Sequence, residues 1–412
     1  MVDLTVKLDI LTFKNPILVG PVIVSEYPEM LEKCLSYGVG GVITPTYTDQ
    51  EENIFRPRPY IVSPQTIFPD LDMFFTLAEF SVVPYEKALE KYVPSMRKLC
   101  TDAEVPLIVS ISVSADIDRA TKLAASFASN ADALELNMLH LDKKSTLKII
   151  DAVNKDVGIP LIARVNTWSY DAKYVNDLMQ AGVKSISLYT QMPKGILVDT
   201  ELEEPYGFNW PCSVMFGKSM LPVSLALATT IMRSYPEANL IALDHATESE
   251  DVIQYLLMGC KCVSVCYGIQ RHGFKQIENI LEGVTAWIEG KGYQGIEDFR
   301  RKVVKLVKNP VKLGNPFKPP DEFGAEYMPV IDKNLCKPRE CIRCEEFCLH
   351  EVFKVVPEEA KVNVTDENCY GCGICASLCP EGAITLVNRC TEETVLESRG
   401  TCRTFVDRKR QR

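Results

Sequence analysis

The feature that most constrains the fold is a repeated alternation between short apolar segments and helical patterns. Eight segments rich in Val, Ile and Leu are bounded by polar turns, which is typical of strands buried on both faces of a parallel sheet. They span residues 16–20, 40–45, 106–112, 133–138, 160–165, 185–190, 239–244 and 261–268. Most units recur after roughly 25 residues, the length of one strand and one covering helix. Eight such units predict an α/β fold in which the first domain is a (β/α)8 TIM barrel.

Two of these units are much longer than the others. Residues 46–105 and 191–238 separate neighbouring strands by more chain than one helix requires. In a barrel, such insertions extend from the C-terminal ends of the strands, where barrel enzymes bind their ligands. We therefore expect the insertions to form lids or partner surfaces at that face.

The composition changes after Tyr293 and divides the chain further. Residues 1–295 are predicted to form the barrel, and residues 296–327 a helix followed by a linker rich in Pro and Gly. Residues 328–389 are dense in cysteine and are predicted to form a second domain. Residues 390–412 form a C-terminal tail, whose basic end we interpret as a frayed, solvated terminus.

Charge and hydropathy exclude several classes of partner. The formal net charge of −10 argues against nucleic acid as a main partner, because no basic excess is present to neutralise phosphates. No apolar run approaches the ~18 residues that span a bilayer, and the N-terminus lacks the apolar core of a signal peptide. The sequence therefore predicts a cytoplasmic protein that does not enter a membrane.

Eight of the 16 cysteines fall in two runs with iron–sulfur spacing. The run CYGCGICASLCP, residues 369–380, has the pattern C-x2-C-x2-C-x3-C-P of bacterial two-cluster ferredoxins. The upstream run CKPRECIRCEEFC, residues 336–348, has two extra residues in its first gap. In such proteins the fourth cysteine of each run ligates the other cluster. The predicted ligands of one 4Fe–4S cluster are Cys336, Cys341, Cys344 and Cys379, and those of the second are Cys348, Cys369, Cys372 and Cys375.

The second domain is therefore predicted to be a small α+β domain similar to a two-cluster bacterial ferredoxin. A zinc ribbon is the alternative, since C-x2-C pairs also bind zinc. Two matching runs, one of them complete with its Pro, favour the clusters. The remaining eight cysteines show no ligand spacing, and we interpret them as buried thiols that pack as small apolar residues.

A barrel followed by such a module resembles the dihydroorotate/dihydropyrimidine dehydrogenase family over nearly the full chain. It is most similar to the iron–sulfur subunits that reduce pyrimidines in bacterial NAD-dependent dihydropyrimidine dehydrogenases. The segments FKNPILVGP, YGVGGVITPT and LELN resemble the family's first, second and fourth barrel units. The resemblance implies that FMN at the strand C-termini reduces a C=C bond of a pyrimidine ring. It also implies that the clusters bring electrons from a separate flavoprotein subunit that oxidises NADH.

Several candidate residues in the barrel follow from this resemblance. Asn137 matches the family's substrate-binding Asn, and His140 stands where the family has its catalytic Cys or Ser. Imidazole can perform acid–base chemistry near pH 7. Arg164 replaces the lysine that approaches the flavin, and Asn166, two residues later, is a further ligand candidate.

The cofactor-binding candidates continue along the last strands. Thr190 is retained at the end of the sixth strand, and Lys218 belongs to a Gly-Lys pair in the second insertion. The Gly-Gly turn that binds the FMN phosphate in the family is replaced by Asp244 and His245, so only Gly268 remains of that site. Asp244 would place a carboxylate beside the phosphate, which is unfavourable.

These substitutions leave three hypotheses open. In the first, the chain still binds FMN and reduces a pyrimidine-like substrate, with His140 as proton donor and Arg164 stabilising reduced flavin. In the second, the barrel has lost FMN and the chain is an electron-transfer or scaffold subunit, its polar residues forming a buried salt-bridge network. In the third, Asp244, His245 and Arg164 bind a different small ligand.

A redox partner is expected under the first two hypotheses. No G-x-G-x-x-G follows any predicted strand, so NAD(P)H is not expected to bind this chain directly. The sequence therefore predicts a hetero-oligomer with a flavoprotein subunit that oxidises NAD(P)H, or with another redox subunit.

Overall fold

The computed structural model describes residues 2–50, 58–66, 69–77, 81–166, 172–207, 212–243, 245–307 and 327–398. The chain divides into two compact units, Met1–Lys308 and Asn309–Arg412. The four predicted regions, with their individual boundaries, stay a prediction. No helix in the described part of the chain has the length and apolar character needed to cross a membrane.

The first unit contains a closed barrel of eight parallel strands, which confirms the predicted fold. Each strand pairs with the next along the chain, and the last pairs with the first. The strands are β1 (Ile17–Val19), β2 (Gly41–Ile43), β3 (Leu107–Ser112), β4 (Ala133–Asn137), β5 (Leu161–Asn166), β6 (Val183–Tyr189), β7 (Asn239–Ala242) and β8 (Cys262–Ser264).

Amphipathic helices cover the barrel. In the helix after β3, for example, Ala120, Leu123, Ala124 and Phe127 are buried at helical spacing, and the Asp116 carboxylate caps the first turn. The helices are α1 (Pro28–Ser36), α2 (Val93–Asp102), α3 (Ile117–Ala128), α4 (Lys143–Asp156), α5 (Ala172–Gln180), α6 (Leu221–Ser234), α7 (Ser249–Leu257), α8 (Cys266–His272) and α9 (Gln276–Gly290). A hairpin, Val6–Leu8 with Leu11–Phe13, precedes β1 and contributes Phe13 to the core.

The two insertions pair with each other, which the sequence did not indicate. They follow β2 and β6, and together they form a four-stranded antiparallel sheet. Its strands are, in order, Met192–Gly195, Cys212–Phe216, Phe74–Thr76 and Ile61–Val62. A second hairpin, Val198–Asp199 with Glu204–Pro205, extends from the second insertion.

The region after α9 differs from its predicted helix. It contains two 3-10 helices, Ile296–Asp298 and Val304–Leu306, instead of one longer helix. The N–H groups of Arg301 and Val303 donate to the carbonyls of Leu256 and Leu257, so this segment packs against α7. Such packing gives the segment tertiary contacts that a solvated linker lacks.

The second unit is a small α+β fold of the predicted ferredoxin-like class. The strands Tyr327–Ile331, Ile384–Asn388 and Thr394–Glu397 form one antiparallel sheet, and Phe353–Val356 pairs with Lys361–Val364. Two five-residue helices, Arg343–Phe347 and Ile374–Leu378, carry cysteines. Thr394–Glu397 lies in the predicted tail, so this part of the tail is folded; the basic end lies outside the described residues.

Candidate functional site

Two cavities in the second unit are lined by the predicted iron ligands. The first cavity measures ≈ 420 Å³ including its opening to solvent, and the second ≈ 340 Å³. Cys336, Cys341, Cys344 and Cys379 line the first cavity, and Cys348, Cys369, Cys372 and Cys375 line the second. Each cavity therefore combines cysteines of both runs, as the ferredoxin pattern predicts. Phe347 and Cys375 border both cavities, so the two are adjacent.

The last cysteine of each run has the same local environment. The Val352 N–H lies 3.4 Å from the Cys348 sulfur, and the Ala383 N–H lies 3.3 Å from the Cys379 sulfur. In both cases the donor is four residues after the cysteine. An N–H directed at sulfur stabilises a thiolate and tunes the potential of a cluster that it binds.

The buried surroundings of these thiols suit a positively charged ligand. Burial, reinforced by neighbouring cysteines, raises the pKa of Cys344 to about 12 and the pKa of Cys375 to about 11. Such thiols become thiolates when a cation such as iron replaces the proton. The cysteines of each cavity therefore fit a cluster as its ligands.

A single zinc ion fits this arrangement less well. Among the described residues, no three His, Cys, Asp or Glu side chains come close enough together to hold one metal ion. The thiolates around a 4Fe–4S cluster bind separate irons, so they stand further apart than the ligands of one zinc. The geometry favours the clusters over a zinc ribbon.

The other cysteines divide into two groups. Cys34, Cys100, Cys260, Cys262 and Cys266 are buried, as predicted, whereas Cys390 is exposed. The burial prediction was therefore wrong for Cys390, because it lies in a turn between two surface strands. The Cys212 side chain and Cys402 lie outside the described residues.

In the barrel, the candidates of β4 and β5 lie at the C-terminal ends of neighbouring strands. Asn137 ends β4 and is buried, and Asn166 ends β5 and is partly buried. His140 is exposed in the turn after β4, and its Nε2 lies 3.0 Å from the carbonyl oxygen of Val113. The structure thus holds the imidazole at the rim of the barrel through a backbone contact.

Arg164 belongs to a buried ion pair inside the barrel. Its guanidinium contacts the Glu135 carboxylate, and both side chains are at least 96% buried. The Ser110 hydroxyl donates to Glu135 (2.8 Å), while the Arg164 guanidinium also donates to Ser110 (3.2 Å) and lies over the Tyr189 ring. The guanidinium charge is therefore paired within the chain, while Arg164 Nε and Glu135 Oε2 are buried without a hydrogen-bond partner among the described residues. Sequence reasoning missed Glu135, although an acid within the apolar strand ALELN was a signal.

His245 is fully buried and links three parts of the first unit. Its Nε2 lies 2.7 Å from the Thr190 hydroxyl, and its Nδ1 accepts the Gly217 N–H at 3.4 Å. Both ring nitrogens are thus used in contacts with the end of β6 and with the second insertion. This disfavours His245 as a ligand-binding residue, and Asp244 lies outside the described residues.

Lys218 faces two carboxylates at the start of α7. Its Nζ lies 3.4 Å from both Glu248 Oε2 and Asp251 Oδ2. Partial burial opposes the charge, but the two carboxylates outweigh it and raise the pKa of Lys218. Sequence reasoning missed Asp251, whose ion pair with Lys218 links it to a distant insertion.

Tyr267 and Gly268 were predicted at the end of the last strand, but they lie in α8. The Tyr267 hydroxyl donates to Asp72 Oδ1 (2.5 Å), and its ring packs edge-on against Phe74 and Phe216. The insertion sheet therefore rests on Tyr267. The Gly268 N–H lies 3.2 Å from the carbonyl oxygen of Ala246, so it is engaged within the chain.

Known proteins with similar sequences agree with both units. Residues 362–385 match the family described as "4Fe-4S binding domain", and this stretch contains the whole second cysteine run. The chain is 21% identical to the NAD-dependent dihydropyrimidine dehydrogenase subunit PreA of Escherichia coli K12, over 93% of this chain and 95% of that protein. It is 21% identical to the catalytic subunit of dihydroorotate dehydrogenase B (NAD(+)) of Methanothermobacter thermautotrophicus, over 69% of this chain and 93% of that protein.

These matches support the assignment of the chain to the dihydroorotate/dihydropyrimidine dehydrogenase family. They support an iron–sulfur oxidoreductase, and the structure combines a TIM barrel with a 4Fe–4S binding domain. The relatives that share the barrel also include the dihydroorotate dehydrogenase B catalytic subunit of Pyrococcus abyssi, 23% identical over 74% of this chain and the whole of that protein.

Around the predicted FMN phosphate position, the described backbone donors contact groups of the chain itself. TIM barrels commonly bind phosphate between the loops after the last two strands, at a helix N-terminus. Here the amides of Thr247 and Glu248 donate to Asp251, and that of Gly268 lies against Ala246. A phosphate dianion beside the buried Asp251 carboxylate would be repelled by several kcal/mol, on the order of the Coulomb energy at short range. The described donors are therefore committed elsewhere.

Proposed function

We propose that the chain is an electron-transfer subunit that carries electrons through two 4Fe–4S clusters. The observation that supports this most is the pair of adjacent cavities, each lined by its four predicted ligands, which come from both runs. A 4Fe–4S cluster, when bound, accepts or donates one electron without making or breaking a bond to a substrate. The proposed ligands are the two sets of four cysteines predicted from the sequence.

The residues around the cavities support this role. The N–H groups of Val352 and Ala383 point at the sulfurs of Cys348 and Cys379 and would stabilise these thiolates. Val352 and Phe353 belong to the apolar core beside the second cavity and exclude water from it. The shared wall at Phe347 and Cys375 supports a side-by-side arrangement of two clusters, which suits transfer from one to the other.

An electron donor or acceptor must come from outside this chain. Both relatives are named as subunits, and their names include NAD as the reactant. We propose a hetero-oligomer in which a partner, such as a flavoprotein that oxidises NAD(P)H, exchanges electrons with the clusters.

Reduction of a pyrimidine-like ring within the barrel is a second candidate. It is supported by the relatives' names and by the buried Asn137 at the end of β4. It requires a flavin, which the described phosphate position does not fit, and the engagement of Arg164 with Glu135 weighs against it. The roles of His140, Asn166, Thr190, Lys218 and Gly268 in cofactor binding or catalysis stay predictions.

The composition of the purified protein distinguishes the candidates. The chain should be purified without oxygen and analysed for iron, acid-labile sulfide, zinc and any flavin released on denaturation. We expect about eight irons per chain, as two 4Fe–4S clusters require, and no flavin. Four or fewer irons, or bound zinc, would contradict the ligand assignment. One FMN per chain would instead establish the second candidate.

A further inference from the structure

We propose that the second cavity of the cysteine-rich unit opens onto the docking face for a one-electron redox protein with a basic surface. This inference rests on the proposed electron-transfer function, and it adds where the partner binds and which charge it carries. The docking face consists of Leu349, His350, Tyr370, Cys372 and Ile374.

The exposure of one proposed ligand distinguishes the second cavity from the first. Among the eight proposed iron ligands, Cys372 is exposed, Cys369 is buried and the other six are half-buried. Electrons pass between two proteins only over a short distance, because the rate falls steeply as the two centres separate. A cluster held in the second cavity would therefore come closest to a partner at Cys372.

Aromatic and apolar side chains surround this exposed ligand. The rings of His350 and Tyr370 stack with centroids 5.2 Å apart and an interplanar angle of 18°, and both residues line the second cavity. Ile374 lines the same cavity and is 36% exposed, and Leu349, next to His350, is 81% exposed. Aromatic and apolar side chains form the centre of protein–protein interfaces, where charged residues are depleted. These side chains therefore suit contact with another protein.

The region around the docking face is acidic. Residues 327–398 hold 13 acidic and seven basic side chains. Glu351 is exposed and directly follows His350 of the docking face. Glu367 is also exposed and lies two residues before the proposed ligand Cys369. Negative charge beside an apolar centre favours a partner that carries basic residues around its own redox centre.

Two cations of the same region pair with carboxylates of the chain. Lys354 Nζ lies 2.6 Å from Glu345, and the Arg389 guanidinium lies 2.9 Å from Asp366. Each pair has no net charge, so these two cations do not offset Glu351 and Glu367.

The first cavity has different surroundings. Lys337 and Arg343 line it together with Glu381, which pairs with Lys337 at 2.8 Å. No Lys or Arg is among the described residues that line the second cavity. A basic partner is therefore favoured at the second cavity and disfavoured at the first.

Electron transfer to a basic protein tests the proposal. The full chain is reduced with dithionite without oxygen, freed of excess reductant and mixed in a stopped-flow instrument with ferric cytochrome c, a basic haem protein. Each haem iron gains one electron, and one cluster loses it. Benzoquinone, a small neutral acceptor, and iron analysis show in parallel whether each variant keeps reactive clusters.

The double variant Glu351→Lys, Glu367→Lys tests the charge of the docking face. At about 0.1 M ionic strength charges act over ~10 Å, and we expect the rate with cytochrome c to fall roughly tenfold. Glu358→Lys, Glu359→Lys is the matched control, because it makes the same change in net charge. These two exposed residues lie at the far end of a hairpin whose near end, at Phe353, lines the cavity. The rate of the control should stay close to that of wild type.

Ile374→Ser and Leu378→Ser test the apolar part of the docking face. Both residues are exposed and belong to the helix Ile374–Leu378, but Ile374 lines the second cavity and Leu378 lines the first. Ile374→Ser should slow transfer to cytochrome c several-fold, because the complex buries less apolar area. Leu378→Ser should not slow it, and the rate with benzoquinone should be unchanged in both variants.

Three results would overturn the proposal. The first is an equal effect of the two charge variants, and the second is a slower transfer in Leu378→Ser than in Ile374→Ser, which would indicate docking over the first cavity. The third is an unchanged rate in all four variants, which would indicate that the docking face is covered in the assembled protein. A failure of the proposed function looks different, because a chain without clusters would contain little iron and would reduce neither acceptor.

Discussion

The barrel mouth and the cysteine-rich unit differ in how the charges of their polar groups are balanced. In the barrel, the buried Arg164 faces the Glu135 carboxylate, and the partly buried Lys218 faces the Asp251 carboxylate. In the second unit, cysteines line each cavity together, and burial raises the pKa of Cys344 and Cys375. The first arrangement already pairs opposite charges, although Arg164 Nε and Glu135 Oε2 are buried without a hydrogen-bond partner among the described residues, whereas the second gains its charge balance only from a bound metal.

This difference bears on how each unit would receive a charged ligand. At a buried carboxylate–guanidinium pair, any new charge must compete with an existing partner. Thiols without a cationic partner have the reverse property, since iron supplies that partner. Membership of a flavoenzyme-like family therefore does not by itself place the reaction in the barrel.

The largest effect that we predict is the loss of iron on removing one proposed ligand. Cys344→Ser should lower the iron content to half or less of about eight per chain, because the cluster loses one of four thiolates. Iron and sulfide analysis, together with electron paramagnetic resonance of the reduced protein, measures this. Cys390→Ser, at an exposed cysteine outside both cavities, is the control and should keep all its iron. A full iron content in Cys344→Ser would show that Cys344 is not a cluster ligand, and the contrast between the two units would then lose its basis.

The barrel ion pair should produce the next largest effect. Arg164→Met leaves the Glu135 carboxylate buried without its partner, which should lower the free energy of unfolding by about 3–5 kcal/mol. The double variant Arg164→Met, Glu135→Leu removes both charges and should recover most of that loss. Urea denaturation of the three proteins measures the free energies. If the double variant is as unstable as the single one, the pair is not a self-contained unit.

Tyr267 tests the attachment of the insertions to the barrel. Tyr267→Phe removes the hydrogen bond to Asp72 and should cost about 1–3 kcal/mol, as expected for a hydrogen bond to a charged group. Burial and the nearby Asp72 raise the pKa of Tyr267, so the folded state keeps the proton more firmly than the unfolded state. That contribution is complete below pH ~10 and is lost as the pH rises above it. Between pH 9 and 11, each ~1 unit from the tyrosine pKa, Tyr267→Phe should therefore lose less stability than wild type. Thermal unfolding monitored by circular dichroism measures the stability of both proteins.

The sequence predicts the fold and the iron ligands because both depend on local spacing. The eight apolar segments indicate the barrel strands, and the spacing of cysteines within each run indicates which of them can share a cluster. Other features depend on contacts between distant segments, such as the pairing of the insertions and the contact between Lys218 and Asp251. The sequence predicts a strand over the whole segment KCVSVCYG, but the structure has a strand followed by a helix there. A short apolar run does not distinguish a strand from a buried helix.

The smallest structural effect that we predict is at His140, and this residue tests whether the barrel mouth is catalytic. This side chain is exposed and contacts the barrel through the Val113 carbonyl, so His140→Ala should change the free energy of unfolding by less than about 1 kcal/mol. Its iron content, and the rate at which a chemical reductant reduces the clusters, should match wild type. If His140 is instead the proton donor of a pyrimidine-reducing site, steady-state assays with dihydropyrimidine substrates should show kcat lowered by roughly a hundredfold or more. An equal kcat in the two proteins would show that His140 is not the proton donor. A hundredfold loss would instead indicate that catalysis takes place at the barrel mouth, despite the ion pairs there.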